Sequence, residues 1–180
     1  MGRAFDSITD QMREFVDDQH VFFVSTAPST GGRVSVSPKG YDSFRILDDN
    51  RVCYLDITGS GAETIAHIRD NGRITFMFCA FAGKPNIVRF YGTGQVVRQD
   101  DDEWGDLFAL FGDVAGVRSI ITADIDRTST SCGFAVPFMD YVEDRPRLAE
   151  HWGAKTPEAV EQYWADKNAT SIDGLPALGE

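Results

Sequence analysis

Apolar residues in the N-terminal part of the chain follow first a helical and then a strand-like spacing. They recur at intervals of three or four over 5–17, which predicts an amphipathic helix there. Asp6 or Ser7 is the expected N-cap of this helix, since both side chains can accept a backbone N–H. The apolar run within 20–26 then predicts a buried strand.

A turn and a second strand follow. The stretch 28–32 contains two adjacent glycines, which adopt positive φ at little cost, and it predicts a turn. Residues 33–37 alternate between polar and apolar side chains, which is typical of a strand. Pro38 is expected to end the pairing of this strand, because proline has no N–H to donate to a neighbour.

The clearest helix signals lie after a third strand, which is predicted over 51–57. Ser60 and Glu63 have the spacing of a capping box, with Ser60 as the N-cap of the helix that follows. Asn71 and Gly72 predict where that helix ends, because glycine readily adopts the left-handed conformation of a C-terminal cap.

Two long apolar strands, 73–81 and 87–97, come next. Gly92 and Gly94 inside the second strand predict a bulge or a barrel corner rather than a flat ribbon. The segment 100–111 opens with four acidic residues, which suit the positive end of a helix dipole. We therefore predict that this segment is a helix packed on the sheet.

The last third of the chain predicts two strands and then helices. Residues 119–128 and 131–139 have strand-like apolar patterns. Helices are predicted to begin near Asp144 and after Thr156, and the stretch 171–180 is predicted to be irregular.

Together these elements predict an antiparallel barrel decorated by helices. Six or seven strands and three or four helices occur without the strand–helix alternation of a parallel sheet. We expect a single domain over 1–180, with the barrel core at about 20–140 and a C-terminal helical extension at about 144–180.

Composition excludes several classes of partner. The chain has 180 residues, enough for one domain with its own core, and a formal net charge of −11. An acidic chain lacks the basic stripe that binds a nucleic-acid backbone or an anionic membrane. No apolar run approaches the ~18 residues of a membrane span, and the N-terminus has no apolar signal core. We therefore expect a cytoplasmic protein without nucleic-acid or membrane partners.

The cysteines and histidines predict no metal site. Cys53, Cys79 and Cys132 are widely spaced, lie in apolar runs and form no Cys-x-x-Cys pair. Buried free thiols are therefore expected. The three histidines have no neighbours at the spacing of metal ligands.

The junction 56–61 is the first candidate site, because a strand ends there and a helix begins. Helix N-termini present unpaired N–H groups and a partial positive charge, which attract anions. Thr58, Ser60 and Thr64 add hydroxyl groups. A capping box, however, accounts for Ser60 and Glu63 without any ligand. Both interpretations stay open at this point.

Two cations are the next candidates. Lys39 follows a polar strand face that carries Ser35 and Ser37, and Arg89 lies inside an apolar strand. An arginine in a half-buried strand requires a partner. That partner is either a buried carboxylate such as Asp56 or a ligand phosphate, which guanidinium groups bind in a bidentate way. The residues alone leave both alternatives open.

Four motifs occur in an order that resembles a known family. They are Ser37-Pro38-Lys39-Gly40, Leu47-Asp48-Asp49, Asn71-Gly72-Arg73 and Ser131-Cys132-Gly133-Phe134-Ala135-Val136-Pro137. Over about 22–97 in particular, the chain is similar to the flavin-binding split barrels related to pyridoxamine 5'-phosphate oxidase. The resemblance implies a mainly β (β+α) fold, a six- to seven-stranded antiparallel split β-barrel with peripheral helices.

The resemblance also implies a homodimer that binds flavin mononucleotide (FMN) at the subunit interface, between strands of one subunit and residues of the other. Eight cofactor-binding residues follow from it: Ser35, Val36, Ser37, Lys39, Leu55, Asp56, Thr64 and Arg89. The residues up to Lys39 are expected to line the flavin, with Leu55 and Asp56 beside its ring. Thr64 and Arg89 are expected near its phosphate.

Two motifs of the true oxidases are absent. Their Ser-Arg-Lys run at the helix start, which holds the flavin phosphate, corresponds here to approximately Ala62, Glu63 and Thr64. Their late Arg and His, which hold the substrate phosphate, have no counterpart around 133–141. Oxidation of pyridoxamine phosphate is therefore not the expected activity.

Three functional hypotheses remain. The first is an FMN-dependent oxidoreductase that acts on an unknown small substrate. The second is a non-catalytic protein of the same fold that binds a flavin, a deazaflavin or haem. The third is a barrel that has lost its ligand, in which case Arg89 pairs with a carboxylate of the chain. No catalytic residue is nominated, because a flavin itself carries the redox chemistry.

Overall fold

Among the residues that the structure describes, eight strands hydrogen-bond into one antiparallel sheet that curls into an open barrel. The computed structural model describes residues 2–179. The strands are β1 (Arg3–Phe5), β2 (Phe22–Thr26), β3 (Ser35–Lys39), β4 (Phe44–Ile46), β5 (Arg51–Ile57), β6 (Arg73–Cys79), β7 (Ile87–Val97) and β8 (Val117–Ser131). The helices are α1 (Asp10–Asp17), α2 (Glu63–Asn71), α3 (Trp104–Phe108), α4 (Arg147–Gly153) and α5 (Pro157–Lys167).

The sheet has the strand order β3-β2-β6-β7-β8-β5-β4, and β1 adds to β8 outside this path. Every described pairing is antiparallel, and the helices lie outside the strands. The predicted fold class, an antiparallel split barrel with peripheral helices, is confirmed. The two strands that were not predicted, β1 and β4, have three residues each and are too short to show a periodicity.

Aromatic side chains fill the inside of the barrel. Tyr54, Phe76, Phe78 and Phe90 are fully buried, and the ring centroids of Phe78 and Phe90 lie 5.5 Å apart. A second, smaller apolar cluster lies on the other side of β5, beneath α3. Because side chains alternate along a strand, β5 contributes to both clusters and separates them.

The first helix is shorter than its apolar spacing predicts. It begins at Asp10, and the Oγ1 of Thr9 accepts the N–H of Met12 at 3.3 Å, so Thr9 is the N-cap. The prediction of Asp6 or Ser7 was wrong, because the preceding residues form β1 and pair with β8.

The prediction for Pro38 was also wrong, since Pro38 lies within β3 and pairs opposite Phe23. β3 is the outermost strand of the sheet. An edge strand has one unpaired side, and proline is tolerated there because no ladder hydrogen bond is lost on that side.

The strand predicted over 131–139 does not form. β8 instead runs without interruption from Val117 to Ser131, and its last pair with β7 is Ile87↔Ser131. β7 begins at Ile87, so the chain beyond Ser131 has no neighbouring strand in this sheet to pair with. The helix predicted over 100–111 is likewise confined to Trp104–Phe108.

Two turn predictions were confirmed. Gly72 ends α2 with φ 74°, and the register between β7 and β8 shifts between Tyr91 and Gly92, which marks the predicted bulge. A side chain at Gly92 would collide with the backbone oxygen of Asp124, so the bulge requires glycine.

The C-terminal extension folds back onto the barrel. Thr156 caps α5, because its Oγ1 accepts the N–H of Ala159 at 3.3 Å, and α5 begins at Pro157. Leu175, Ala177 and Leu178 pack against the main core. Among residues 2–179, no helix combines the length and apolarity that crossing a membrane requires.

Candidate functional site

A buried charged cluster forms where β5 ends. The carboxylate of Asp56 is fully buried and accepts the Nε–H of Arg118 at 2.6 Å and the hydroxyl of Ser119 at 3.2 Å. The Nζ of Lys39 lies 3.5 Å from Asp56 Oδ1 and is partly exposed, with 21% of the side chain accessible. One carboxylate is therefore shared by two cations, of which Arg118 has the closer contact.

A register shift places Arg118 in this cluster. Asp56 pairs opposite Ser119, whereas the next residue, Ile57, pairs opposite Val117. Arg118 is the extra residue of this irregularity, and a bulge of this kind re-aims a side chain. Two successive residues of β8, Arg118 and Ser119, therefore both direct their side chains at the Asp56 carboxylate, whereas in a regular strand they would point to opposite faces.

The cluster keeps its charges. Burial alone would raise the pKa of Asp56, but the charges of Arg118 and then Lys39 outweigh burial and hold that pKa below its usual value. Burial lowers the pKa of Arg118, and the charge of Asp56 more than compensates. Asp56 is thus ionised and Arg118 protonated at neutral pH.

Tyr54 lies beside this cluster on the core face of β5. The Nζ of Lys39 is 5.7 Å from the centroid of the Tyr54 ring. Burial, and then the charge of Asp56, raise the pKa of Tyr54 well above its usual value, although the charge of Arg118 opposes this shift. Within residues 2–179 the buried Tyr54 hydroxyl makes no hydrogen bond, so one polar group of this cluster is unsatisfied.

The start of α2 differs from the predicted capping box. The N-cap is Ala62, without a side-chain hydrogen bond, so the prediction of Ser60 was wrong. Glu63 Oε1 instead accepts the backbone N–H of Ile172 at 3.2 Å, and a side chain at Gly61 would collide with the Glu63 carboxylate. The competing partner is 109 residues away along the chain and cannot be recognised from the local pattern.

Five of the eight predicted residues lie on the core side of the sheet, four of them on strands and Thr64 on α2, where it is buried close to Tyr54. Lys39 and Ser37 pair opposite Phe22 and Val24, whose side chains are in the core, and directly opposed side chains share a face. We call the following set the inner-face group: Ser35, Ser37, Lys39, Asp56 and Thr64.

The other three predicted residues point elsewhere. Val36 alternates with Ser35 and Ser37 and is 61% exposed on the outer face of the sheet. Arg89 pairs opposite Met77 and alternates with the fully buried Val88 and Phe90, so it also lies on the outer face. Leu55 is buried in the second apolar cluster, on the opposite side of β5 from Asp56.

Arg89 has no carboxylate partner within residues 2–179. Its guanidinium Nη1 donates to Ser131 Oγ at 3.1 Å, and none of the described ion pairs involves it. Asp56, the partner considered from the sequence, is bound by Arg118 instead. The structure therefore does not support the internal pairing that a barrel without a ligand requires.

Sequence reasoning missed Arg118 and Asn168. Arg118 lies at the start of an apolar strand. A cation in an apolar strand is the pattern that singled out Arg89, and the same pattern could have identified Arg118. The amide of Asn168 accepts from Arg118 Nη1 at 2.9 Å and donates to the carbonyl of Gly59 at 3.2 Å. No local pattern marks Asn168, because its partners are brought to it by the fold of the extension.

His67 of α2 gives a prediction on pH. It is buried, its Nδ1 lies 2.9 Å from Thr26 Oγ1, and burial lowers its pKa although Glu63, Asp173 and Asp70 oppose this. The unfolded chain therefore binds a proton more readily, so stability is full above the ordinary histidine pKa and is lost as pH falls below it. We expect the free energy of unfolding to decrease from pH 7.5 to pH 5.5.

Urea titrations at several pH values measure this decrease. The slope should become shallower in the variant His67→Gln and persist in His151→Gln, since His151 is exposed on α4. Equal slopes in the parent protein and His67→Gln would contradict the assignment to His67.

Comparisons with known proteins agree with the observed fold and identify a matching family model and a similar protein. Residues 8–132 match the family model described as "Pyridoxamine 5'-phosphate oxidase". The Aspergillus flavus "Pyridoxamine 5'-phosphate oxidase family protein ustO" is 38% identical over 192 aligned positions, which cover 97% of this chain and 77% of that protein.

Solved structures show the same fold at low sequence identity. HupZ from Group A Streptococcus has a TM-score of 0.55 and 23% identity, over 67% of this chain and 91% of that chain. A conserved protein of unknown function from Corynebacterium diphtheriae has a TM-score of 0.51 and 13% identity, over 73% of this chain and 98% of that chain. At these sequence identities, the two structures show a similarity of fold alone.

Proposed function

The chain belongs to the pyridoxamine 5'-phosphate oxidase family, and from that premise we propose that it is an FMN-dependent oxidoreductase acting on a small molecule. In this proposal it forms a homodimer with the cofactor at the subunit interface. One observation carries the proposal: the inner-face group and Arg89 lie on opposite faces of the same sheet. One ligand touches both only if each comes from a different subunit.

The surface of the chain favours such a partner. Val36 is exposed on the outer face beside the edge of the sheet, and Phe134, Phe138 and Val142 are more than four-fifths exposed in the irregular stretch after β8. Phe134, Phe138 and Val142 lie close together along the chain, and exposed apolar side chains that form one patch are typical of interaction sites. A second copy of the chain would cover them.

The residues present fit a phosphorylated flavin, with one departure from the family. Arg89 is a cation without a carboxylate partner in the described chain, and guanidinium groups bind phosphate in a bidentate way. The buried Tyr54 hydroxyl and the partly exposed Lys39 ammonium supply a donor and a positive charge. The start of α2 holds the Glu63 carboxylate, so we assign the phosphate to Arg89 rather than to this helix end.

Each side chain then has a separate task. Arg89 would bind the phosphate, and Lys39 would place a positive charge beside the ligand. The Asp56–Arg118 pair would hold Lys39 in position through the contact of 3.5 Å. Bound FMN supplies hydride or single-electron transfer, and the protein orients it and tunes its electronics.

An absorption spectrum tests the proposal. Purified protein is mixed with FMN, desalted and scanned, and retained absorption bands at about 370 and 450 nm are expected for an oxidised flavin. Sedimentation at micromolar concentration should give a dimer. A colourless protein after desalting would contradict FMN binding, and a monomer would contradict the composite site.

A second candidate function is a non-catalytic protein that holds a flavin, a deazaflavin or haem. The carboxylate of Glu63 at the start of α2 favours it, because a negative charge there weakens the phosphate site that the family uses. Bleaching of the bound flavin by NADH or NADPH, followed by reoxidation on an added acceptor, distinguishes the two. Colour without turnover would favour the binding protein.

A further inference from the structure

The loop between β5 and α2, residues 58–62, is held in place by the C-terminal extension. The side chains of Trp152, Trp164 and Asn168 all donate to this loop. We infer that the extension positions the β5–α2 loop, and through it Asp56 and Thr64 of the inner-face group on either side of the loop, for the cofactor, with Trp164 and Asn168 as the positioning residues. This inference rests on the proposed FMN site and adds a device that the family motifs do not contain.

Thr58 is the first anchor of the loop. Its hydroxyl accepts the indole N–H of Trp164 at 2.8 Å and donates to the carbonyl of Gly116 at 2.7 Å. Its carbonyl accepts the indole N–H of Trp152 at 2.9 Å. Thr58 is fully buried, and its polar atoms are all engaged, so its hydroxyl anchors the loop instead of binding a ligand.

Asn168 is the second anchor and connects the loop to the charged cluster. One end of its fully buried amide donates to Gly59, and the other accepts from Arg118, which pairs with Asp56. The position of the loop is therefore coupled to the carboxylate that Lys39 contacts. A change at Asn168 would affect both the loop, through Gly59, and the Asp56 carboxylate, through Arg118.

The tail after α5 restrains the helix that follows the loop. The N–H of Ile172 holds the Glu63 carboxylate, and Arg33 binds Asp173 through both its backbone and its side chain. Arg69 near the end of α2 donates to the carbonyls of Ala177 and Gly179. The tail is thus attached to both ends of α2, which fixes where Glu63 lies.

The loop needs this support because its own residues provide little. It contains Gly59 and Gly61, which have the largest conformational freedom of any residue, and its last residue, Ala62, provides no side-chain cap. A binding loop that is ordered before the ligand arrives avoids the entropic cost of ordering on binding. Trp164 and Asn168 supply that order from outside the loop.

The indole hydrogen bond of Trp164 is the contact to remove. The variant Trp164→Phe keeps a ring but loses the N–H, and we expect its dissociation constant for FMN to rise about tenfold. Amide hydrogen exchange in 57–63 of the protein without FMN should become faster. Trp104→Phe is the matched control, because Trp104 stacks on Phe108 of α3 away from the loop.

A second pair of variants separates positioning from general stability. Thr58→Val removes the acceptor of the Trp164 indole N–H and should weaken FMN binding as Trp164→Phe does. Thr58→Ser keeps the hydroxyl and should bind FMN like the parent protein. The double variant Trp164→Phe/Thr58→Val should bind FMN no more weakly than Thr58→Val alone, because the bond that Trp164→Phe removes is already absent in Thr58→Val.

The outcomes distinguish this inference from the proposed function. If the parent protein binds no FMN, the proposed function fails, and the exchange rates of the loop still decide whether the extension orders it. Unchanged exchange in Trp164→Phe would overturn the inference whatever FMN does. Faster exchange with an unchanged FMN dissociation constant in a parent that binds FMN would also overturn it.

Discussion

Replacing Arg118 with methionine is expected to lower the free energy of unfolding by about 3–5 kcal/mol. The variant leaves the fully buried Asp56 carboxylate without its closest partner, since Lys39 remains only at 3.5 Å. It also removes the donor to Asn168. A buried charge that loses its partner costs far more than a surface pair gains, because the interior cannot solvate it.

Urea denaturation at pH 7 measures this loss. Arg13→Met is the matched control, because Arg13 pairs with Asp49 at a comparable 2.7 Å but Asp49 is 76% exposed. The control should lose at most about 1 kcal/mol. A loss of that small size in Arg118→Met would contradict the role assigned to the buried pair.

Removing both charges tests the same point if Arg118→Met does not fold. In the double variant Asp56→Leu/Arg118→Met no unpaired carboxylate remains, so stability should recover most of what the single variant loses. Failure of the double variant to recover would mean that the contact of Arg118 with Asn168 dominates.

Mixed dimers of Lys39→Ala and Arg89→Ala are expected to recover one FMN site that neither variant has alone. Each residue stands to contribute a charge-assisted hydrogen bond, so each homodimeric variant should bind FMN about 10- to 100-fold more weakly. If a site takes Lys39 from one subunit and Arg89 from the other, the mixed dimer has one intact site and one site with both changes. Half of its sites should then bind FMN with the affinity of the parent protein.

The prediction is checked by titrating FMN into dimers purified through two different affinity tags. The reciprocal control pairs the parent subunit with the double variant Lys39→Ala/Arg89→Ala, in which every composite site carries one change and none keeps full affinity. The opposite result in the two mixtures would place both residues in one subunit's site and overturn the composite arrangement. Arg147→Ala, on exposed α4, should leave FMN binding unchanged.

The order of the strands and helices along the chain was predictable because it depends on local chemistry. Gly72 ends α2 in the left-handed conformation that glycine adopts at little cost, and Gly92 marks the bulge of β7, where a side chain would collide with the backbone oxygen of Asp124. Thr156 and Pro157 begin α5 for the same local reason. The resemblance assigned Lys39 and Asp56 to one candidate site, and in the structure Lys39 Nζ lies 3.5 Å from Asp56 Oδ1.

Predictions failed where a distant residue competes with a local signal. Ser60 does not cap α2, because Glu63 is bound by Ile172 of the tail. The strand predicted over 131–139 is absent because β7 begins at Ile87 and leaves it no neighbour in the sheet. The local pattern indicates which secondary structure a segment can form. Whether that structure forms depends on the residues that the fold brings next to the segment.

The sequence by itself determined a mainly antiparallel β fold with helices around it, and a short set of polar residues near the end of β5. Only the tertiary structure decided which of these share a face: Lys39 and Asp56 face inward, and Arg89 faces outward with no carboxylate partner among residues 2–179. It also brought Arg118 to Asp56, and Asn168 to Arg118. The physical reason is that hydrophobic periodicity and turn chemistry act over a few residues, whereas a buried charge must find its partner wherever the fold places one.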